Sequence, residues 1–578
     1  MISVTHRECL LQVCWRCLVK KKLPIGISDF KKLIDGDYFY VDKSLFIQEI
    51  IEKGTEVALI PRLRRFGKTL NLSMLRYFFE KTEEDTGYLF KGLQIWKKEE
   101  YRALQGQFPV IYITFKDIKH STWDHTFEDF QRLISEEFQR HRYLLEGDLL
   151  SAEEREDYLA VLGKKGSQVL YQNSLKLLIK WMYFYHKKQV ILLIDEYDAP
   201  AHGAYVGKYY DSLIEFLRNL LSNCLKDSSY LKKGVLTGIL RIAKESIFSG
   251  LNNVTPFSIL NETFRDKFGL LESEVEELLE YYGLSEKLPV LREWYDGYRI
   301  GSCRGIYNPW SVLRCIAENG VLAPYWVNTS DNALMKQLIT KSGGSLKTDI
   351  EDLLKGGFVE KKIEEGIVFP ELDKNPTTIW SLLVYSGYLT IDAIPEYGIP
   401  YRLGIPNAEI RELYQAMVLE WFDKSIDEYQ YRTLLESLIS GEVDTFSSIF
   451  KEFVISYFSV FDVPFDESEK VYHAFVLGML VGLKGKYDVK SNRESGFGRY
   501  DVMLFPKNTD DLGIIMEFKK AATGGKVNLE SVAQSAIKQI EEKKYAVELL
   551  ERGVQRILYL GFAFSGKNVL IKHKFNDL

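Results

Sequence analysis

Short uninterrupted apolar runs alternate, along the first half of the chain, with longer stretches in which apolar residues recur every three or four positions. Val57 to Pro61 is one such run, and Leu70, Leu72, Leu75 and Phe79 follow it at helical spacing. Val110 to Phe115 and Gln189 to Ile194 are β-rich runs suited to strands buried on both faces, and Gly234 to Leu240 is a further candidate. Strands separated by helices predict a mainly parallel α/β sheet whose ligands bind at the carboxyl ends of the strands. Between about 270 and 450 the texture changes to acidic helices and loops punctuated by Gly and Pro, which reads as a lid and connecting helices. From about Phe465 a helix, two strands joined by a polar turn, another helix and a final strand predict a second α/β unit.

Composition narrows the class. With 578 residues the chain exceeds what one core usually organises, and 46% hydrophobic with 27% charged residues fits a globular protein rather than a disordered one. Ala474 to Leu483, the longest uncharged apolar stretch of the C-terminal half, is about half of the roughly 20 residues a spanning helix needs, so no membrane segment is expected. A formal charge of -6 argues against an overall cationic surface but leaves room for a local basic groove. Six cysteines, irregularly spaced, do not form a secreted disulfide framework, and a reducing cytoplasm is the simpler expectation. His6, Cys9, Cys14 and Cys17 lack the second paired half of a zinc site. Residues 1–22 also lack the order of charges of a signal peptide and read as a variable extension.

Two stretches carry chemistry. Between a strand and a helix lies Arg62-Leu63-Arg64-Arg65-Phe66-Gly67-Lys68-Thr69, where helix N-terminal N–H groups and the helix dipole favour phosphate. Gly67 permits close backbone approach, Lys68 reaches the outer phosphates and Thr69 ligates magnesium. Arg62 stands where such loops usually have their first glycine. Far downstream, Leu192-Leu193-Ile194 ends in Asp195-Glu196, a Walker B arrangement in which the aspartate helps hold magnesium and the glutamate polarises the attacking water. Arg62, Arg64, Arg65 and Arg241 are all candidates for stabilising charge on the transferring phosphoryl group.

The second stretch is near the C-terminus. Gly498-Arg499-Tyr500-Asp501 leads into Val502 to Phe505, and after a polar turn comes Gly513 to Lys519. Glu517 and Lys519, two apart on a strand, share one face while Met516 and Phe518 take the other. Paired as a hairpin, the strands bring Asp501 towards Glu517 and create a two-carboxylate cation site beside Lys519. Phosphodiester cleavage needs such parts, namely a divalent ion, an activated water and a nearby cation. Glu494 is the strongest candidate for a third carboxylate, ahead of Glu469 or His473, and Gln539 and Tyr545 read as lying on the following helix.

The Arg-Arg-Phe-Gly-Lys-Thr loop, Leu193 to Asp198, Phe248 to Asn253 and Trp294 to Tyr298 occur together with Tyr307 to Ser311, Trp380 to Leu389 and Ile405 to Asn407. Together they resemble the bacterial AAA-ATPase-like family whose C-terminus is a PD-(D/E)XK nuclease domain, and the likeness spans nearly everything after Leu23. The resemblance implies an α/β fold class. It comprises an AAA-like P-loop domain over 23–270, a helical lid and connecting region over 271–455, and a restriction-endonuclease-like domain over 456–578. It also makes the Arg-rich loop normal, places Thr237 or Arg241 in a sensor position, and sets the helix around Gln539 facing nucleic acid.

The expected activities are ATP hydrolysis and metal-dependent nuclease cleavage. The expected cofactors are ATP and Mg2+, with Mn2+ as an alternative at the nuclease site, and the expected partner is nucleic acid, DNA ahead of RNA. Self-association into a homo-oligomer is left open. A nucleotide-switched interaction protein with a non-cleaving nuclease fold is the alternative, and a small-molecule P-loop kinase is disfavoured because no acceptor pocket is evident.

Overall fold

The computed structural model describes residues 20–577 except 243–246, 248–250, 328–343, 355, 368, 373–374, 394–399, 424–427, 461–475, 477–478, 484, 496–497, 522–527 and 566–567. The chain forms two compact units, Met1–Ser330 with Glu360–Ile410 and Asp331–Val359 with Arg411–Leu578. Cys9, Cys14, Cys17, Glu469 and His473 lie outside the described residues. Among the described residues no helix is long and apolar enough to cross a membrane.

The first unit is built on five parallel strands, β1 (Val57–Pro61), β2 (Val110–Thr114), β3 (Val190–Asp195), β4 (Leu231–Gly238) and β5 (Val254–Pro256), in the spatial order β2-β3-β4-β1-β5. Every residue of β1 and of β3 is buried, which is why both read as continuous apolar runs. The apolar pattern places the first four strands within a few residues of their true ends but omits β5. That strand has three residues, lies at the sheet edge and ends in a proline, the position a sheet tolerates for a residue with no N–H. The register sets β4 between the two functional strands, pairing Ile60 with Thr237 on one side and Leu193 with Val235 on the other.

Helix α1 (Lys68–Phe79) follows β1, and helix α2 (Pro309–Ala317) belongs to the acidic region read as a lid. In the same unit Val275, Leu278, Leu291, Tyr295, Tyr307 and Val312 form one apolar cluster, against which Leu23, Phe39 and Val41 pack. Between its helices the region also holds a hairpin, Tyr298–Ile300 with Cys303–Ile306.

In the second unit, helices α3 (Glu428–Ser440) and α4 (Val443–Val460) precede five strands, β6 (Tyr487–Ser495), β7 (Gly498–Pro506), β8 (Gly513–Lys520), β9 (Arg556–Ser565) and β10 (Asn568–Asp577), ordered as numbered. Pairing is antiparallel except between β8 and β9, which are joined through helix α5 (Leu529–Glu542). The pattern of apolar positions predicts three strands here. It misses β6 and β10, the polar edge strands, whose pairing is supplied by a neighbour rather than by their own apolar pattern. Leu434, Phe446 and Phe450 cluster with Val502, Leu504, Met516 and Phe518. Ile540 and Tyr545 cluster with Met503, Phe505 and Ile515. The strict alternation sends Glu517 and Lys519 to the α5 face.

Candidate functional site

The loop after β1 turns sharply. Arg65 and Gly67 both have left-handed backbones, with φ of 65° and 84°, a region a non-glycine residue enters at a cost of about 1 kcal/mol. A side chain added at Gly67 would meet nothing within 4 Å, so the space above the loop is open. No side chain caps α1, which leaves its first-turn N–H groups for a ligand.

Around the loop the side chains sort themselves. Asp195 is buried at the end of β3 and accepts hydrogen bonds from Thr69 Oγ1 at 2.8 Å, Thr237 Oγ1 at 2.7 Å and Thr114 Oγ1 at 3.4 Å. Burial raises its pKa, against the lowering effect of the Thr237 and Thr69 hydroxyls. Lys68 is buried too, and its ammonium donates to the carbonyls of Arg62 and Leu63 at 3.2 and 3.0 Å. Its pKa is lowered by burial, while Glu196, Asp195 and Asp198 favour the charged form. Glu196, next along from Asp195, has a left-handed backbone with φ 49°.

Arg62 is not at the phosphate side. Its guanidinium is fully buried and donates to Pro61 O at 2.8 Å, Phe257 O at 2.6 Å and Thr263 O at 3.2 Å, with Phe268 beneath it at 5.1 Å. It ties the end of β1 to the chain after β5, which removes it from the candidate charge stabilisers. Of the two sensor candidates, Thr237 is the one bonded to Asp195. Arg241 instead pairs with Glu365 at 3.2 Å, on a two-residue strand parallel to Gly366–Ile367.

Asp198 is a residue whose part the sequence reading leaves unassigned. Buried, it accepts the backbone N–H of Ile239 at 3.0 Å and of Leu240 at 2.7 Å, and so clamps the turn after β4. Burial pushes its carboxyl up to about 6. Gly238 makes this possible, since any Cβ there would lie 2.3 Å from the carboxylate. The acid two residues after Glu196 was visible in the sequence, but its target was not.

The second unit brings Asp501 and Glu517 together on adjacent strands, next to the paired Val502 and Met516. Asp501 Oδ2 accepts the backbone N–H of Phe518 at 2.8 Å, and Glu517 is 4% exposed with Oε1 accepting from Gln539 Nε2. Gln539 also reaches Tyr545 Oη at 3.3 Å. Tyr545 lies beyond the end of α5 at Glu542, not on the helix as read from the sequence. The approach of α5 depends on Gly561, the strand partner of Glu517, where a Cβ would sit 2.4 Å from Ala533 O. Lys519 is half-buried on the same face as Glu517.

Glu494 lies on β6 opposite Arg499, with its side chain outside the described residues. Among the described residues no group of three or more His, Cys, Asp or Glu gathers as a metal site. The oxygen donors of Asp501 and Glu517 nonetheless suit a hard divalent ion such as Mg2+ or Mn2+, and the same holds for Thr69 with Asp195.

Residues 24–248 match the family model described as "Predicted AAA-ATPase", and residues 467–574 match that of the PD-(D/E)XK nuclease superfamily. The chain is 28% identical over 564 residues to the "Uncharacterized protein in vnfD 5'region" of Azotobacter chroococcum mcd 1, covering 94% of this chain and 97% of that one. A solved structure titled "Structure of the Aeropyrum Pernix ORC2 protein (ADPNP-ADP complexes)" aligns at 10% identity with a TM-score of 0.23, covering 65% of this chain and 92% of that one.

Proposed function

We propose that this chain, an AAA-ATPase-like unit joined to a PD-(D/E)XK nuclease-superfamily module, hydrolyses ATP and couples that activity to metal-dependent cleavage of nucleic acid, with DNA as the first substrate to test. The observation that carries the cleavage reading is the convergence of Asp501 and Glu517 on neighbouring strands with Lys519 on the same face. A divalent ion, when bound by the two carboxylates, neutralises charge on the scissile phosphate and lowers the pKa of water. Gln539 orients Glu517. Lys519 places a positive charge beside the reacting phosphate.

In the first unit Lys68 supplies charge to the outer phosphates once it leaves the carbonyls of Arg62 and Leu63. Thr69 and Asp195 are the residues to hold magnesium, and Glu196 is the base for water. Cys224, Cys303 and Cys315 are free thiols, which fits work in the cytoplasm.

The test is incubation of the purified chain with single- and double-stranded DNA and RNA, with and without Mg2+, Mn2+ and ATP. Metal-dependent cutting that Asp501→Asn abolishes supports the proposal, and ATP stimulation that Lys68→Ala removes supports coupling. Nucleic acid that is bound but stays intact under every condition favours the nucleotide-switched binding protein instead.

A further inference from the structure

Of the loop arginines, Arg65 is the exposed one, Arg62 being buried and Arg64 half-buried. The guanidinium carbon of Arg65 lies 4.4 Å above the Trp310 ring. Among the described residues its guanidinium makes no ion pair, so its donors remain available to an anion. Arg62 is consumed by backbone carbonyls, as described above.

The backbone beneath Arg65 is fixed. Phe66 is buried and packs edge-on against Tyr298 at 5.2 Å, while its carbonyl accepts the N–H of Gly269 at 3.2 Å. With Phe66 anchored on one side, the left-handed turn at Arg65 aims the side chain away from the core. The surface on which it lands is equally fixed. Asn308 Oδ1 caps the N–H of Trp310 at 3.0 Å, Pro309 opens α2, and the indole N–H donates to Tyr325 O at 3.2 Å. An arginine side chain left to itself samples many rotamers; stacked on a ring that cannot turn, it keeps one plane. Burial lowers the pKa of Arg65, and Glu196 is the carboxylate whose charge acts against that and favours the guanidinium's charged form.

We infer that Arg65 is a second cation, beside Lys68, that this chain supplies to the terminal phosphate of ATP, and that Trp310, stacked beneath it, is the positioning residue that sets its guanidinium. The inference rests on the nucleotide reading of the loop and goes beyond it by distinguishing ATP from ADP. Because the terminal phosphate is absent from ADP, removal of Arg65 discriminates between the two nucleotides, and removal of Trp310 acts only through Arg65.

The experiment measures ATP and ADP affinity by calorimetry, together with kcat and KM for hydrolysis and Tm, for the full chain and for Arg65→Ala, Arg65→Lys, Trp310→Ala, Trp310→Phe and the double alanine variant. Arg65→Ala is expected to weaken ATP about tenfold or more and ADP less than about twofold. Trp310→Ala should follow in the same direction by about threefold, with Trp310→Phe recovering most of it. Arg65→Lys keeps a charge without the planar stack and should fall between the parent and Arg65→Ala.

In the Arg65→Ala background, Trp310→Ala should leave ATP affinity unchanged. A further loss there, or an equal loss of ATP and ADP affinity in either single variant, overturns the inference. Should Trp310→Ala fail to fold, Trp310→Phe and Arg65→Lys decide on the same ATP-to-ADP ratio. A parent chain that binds neither nucleotide overturns the P-loop reading and this inference together, whereas one that binds both with an unchanged ratio across the variants overturns this inference alone.

Discussion

Thr69 and Asp195 stand far apart in the chain yet share a 2.8 Å hydrogen bond, the threonine Oγ1 donating to Asp195 Oδ2. Thr237 closes on the other carboxylate oxygen at 2.7 Å from the intervening strand. One residue from the helix start, one from β3 and one from β4 therefore meet at the carboxyl ends of the sheet. With both oxygens engaged by hydroxyls, Asp195 keeps one orientation, while Glu196 beside it is the carboxylate we propose as the base for water.

That difference in surroundings separates the two acids experimentally. Glu196→Gln keeps the shape and loses the base, so ATP hydrolysis should fall about 100-fold or more while ATP affinity stays within a few-fold of the parent. Calorimetry and a phosphate-release assay check this. Parallel loss of binding and turnover would falsify the assignment of Glu196 as the base.

Arg62 should behave as a structural residue. Its buried guanidinium satisfies carbonyls of Pro61, Phe257 and Thr263, and truncation strands them without water. Arg62→Ala should destabilise the first unit by about 3 kcal/mol, and Arg62→Gly, which restores the glycine usual at this place in such loops, should be no better. Thermal and urea unfolding measure it. A variant of parental stability with weakened nucleotide binding would instead return Arg62 to the phosphate side.

Asp198 gives a pH dependence with a definite sign. Its carboxyl is pushed up by burial to about 6 in the folded chain, from an ordinary value of 3.8. The stability it contributes is fully present below the unfolded value and is lost as pH rises through about 6. The parent should therefore lose stability relative to Asp198→Asn between about pH 4 and pH 6, by at most about 3 kcal/mol. Unfolding titrations of the two proteins across that window test it, and parallel curves would show that Asp198 does not titrate there.

At the nuclease face, Asp501→Asn, Glu517→Gln and Lys519→Ala should each abolish cleavage while leaving ATP hydrolysis largely intact. The two carboxamides keep the volume of the acids but lose the charge that attracts a divalent ion, so Mn2+ affinity should drop with activity. Lys519→Ala should retain most of the metal affinity, because an ammonium is not a ligand. Cutting by all three variants at the parental rate would move the active site elsewhere.

What the sequence determined by itself is what local periodicity encodes. Mainly apolar runs located β1 to β4, most completely β1 and β3, because a strand covered on both faces has few polar positions to interrupt it. The loop-to-helix junction at Gly67-Lys68-Thr69 and the strand ending in Asp195-Glu196 are local as well. So is the shared face of Glu517 and Lys519, which follows from the two-residue repeat of a strand. The edge strands β5, β6 and β10 were not legible, since their pairing partner rather than their composition makes them strands. Tertiary structure alone decided which way each charged side chain turned: Arg62 inward onto carbonyls, Arg65 outward onto Trp310, Arg241 to Glu365, Asp198 onto the turn after β4. These choices are set by the desolvation of groups brought together from distant positions, and a one-dimensional pattern carries no record of which distant carbonyl, ring or carboxylate will be nearest.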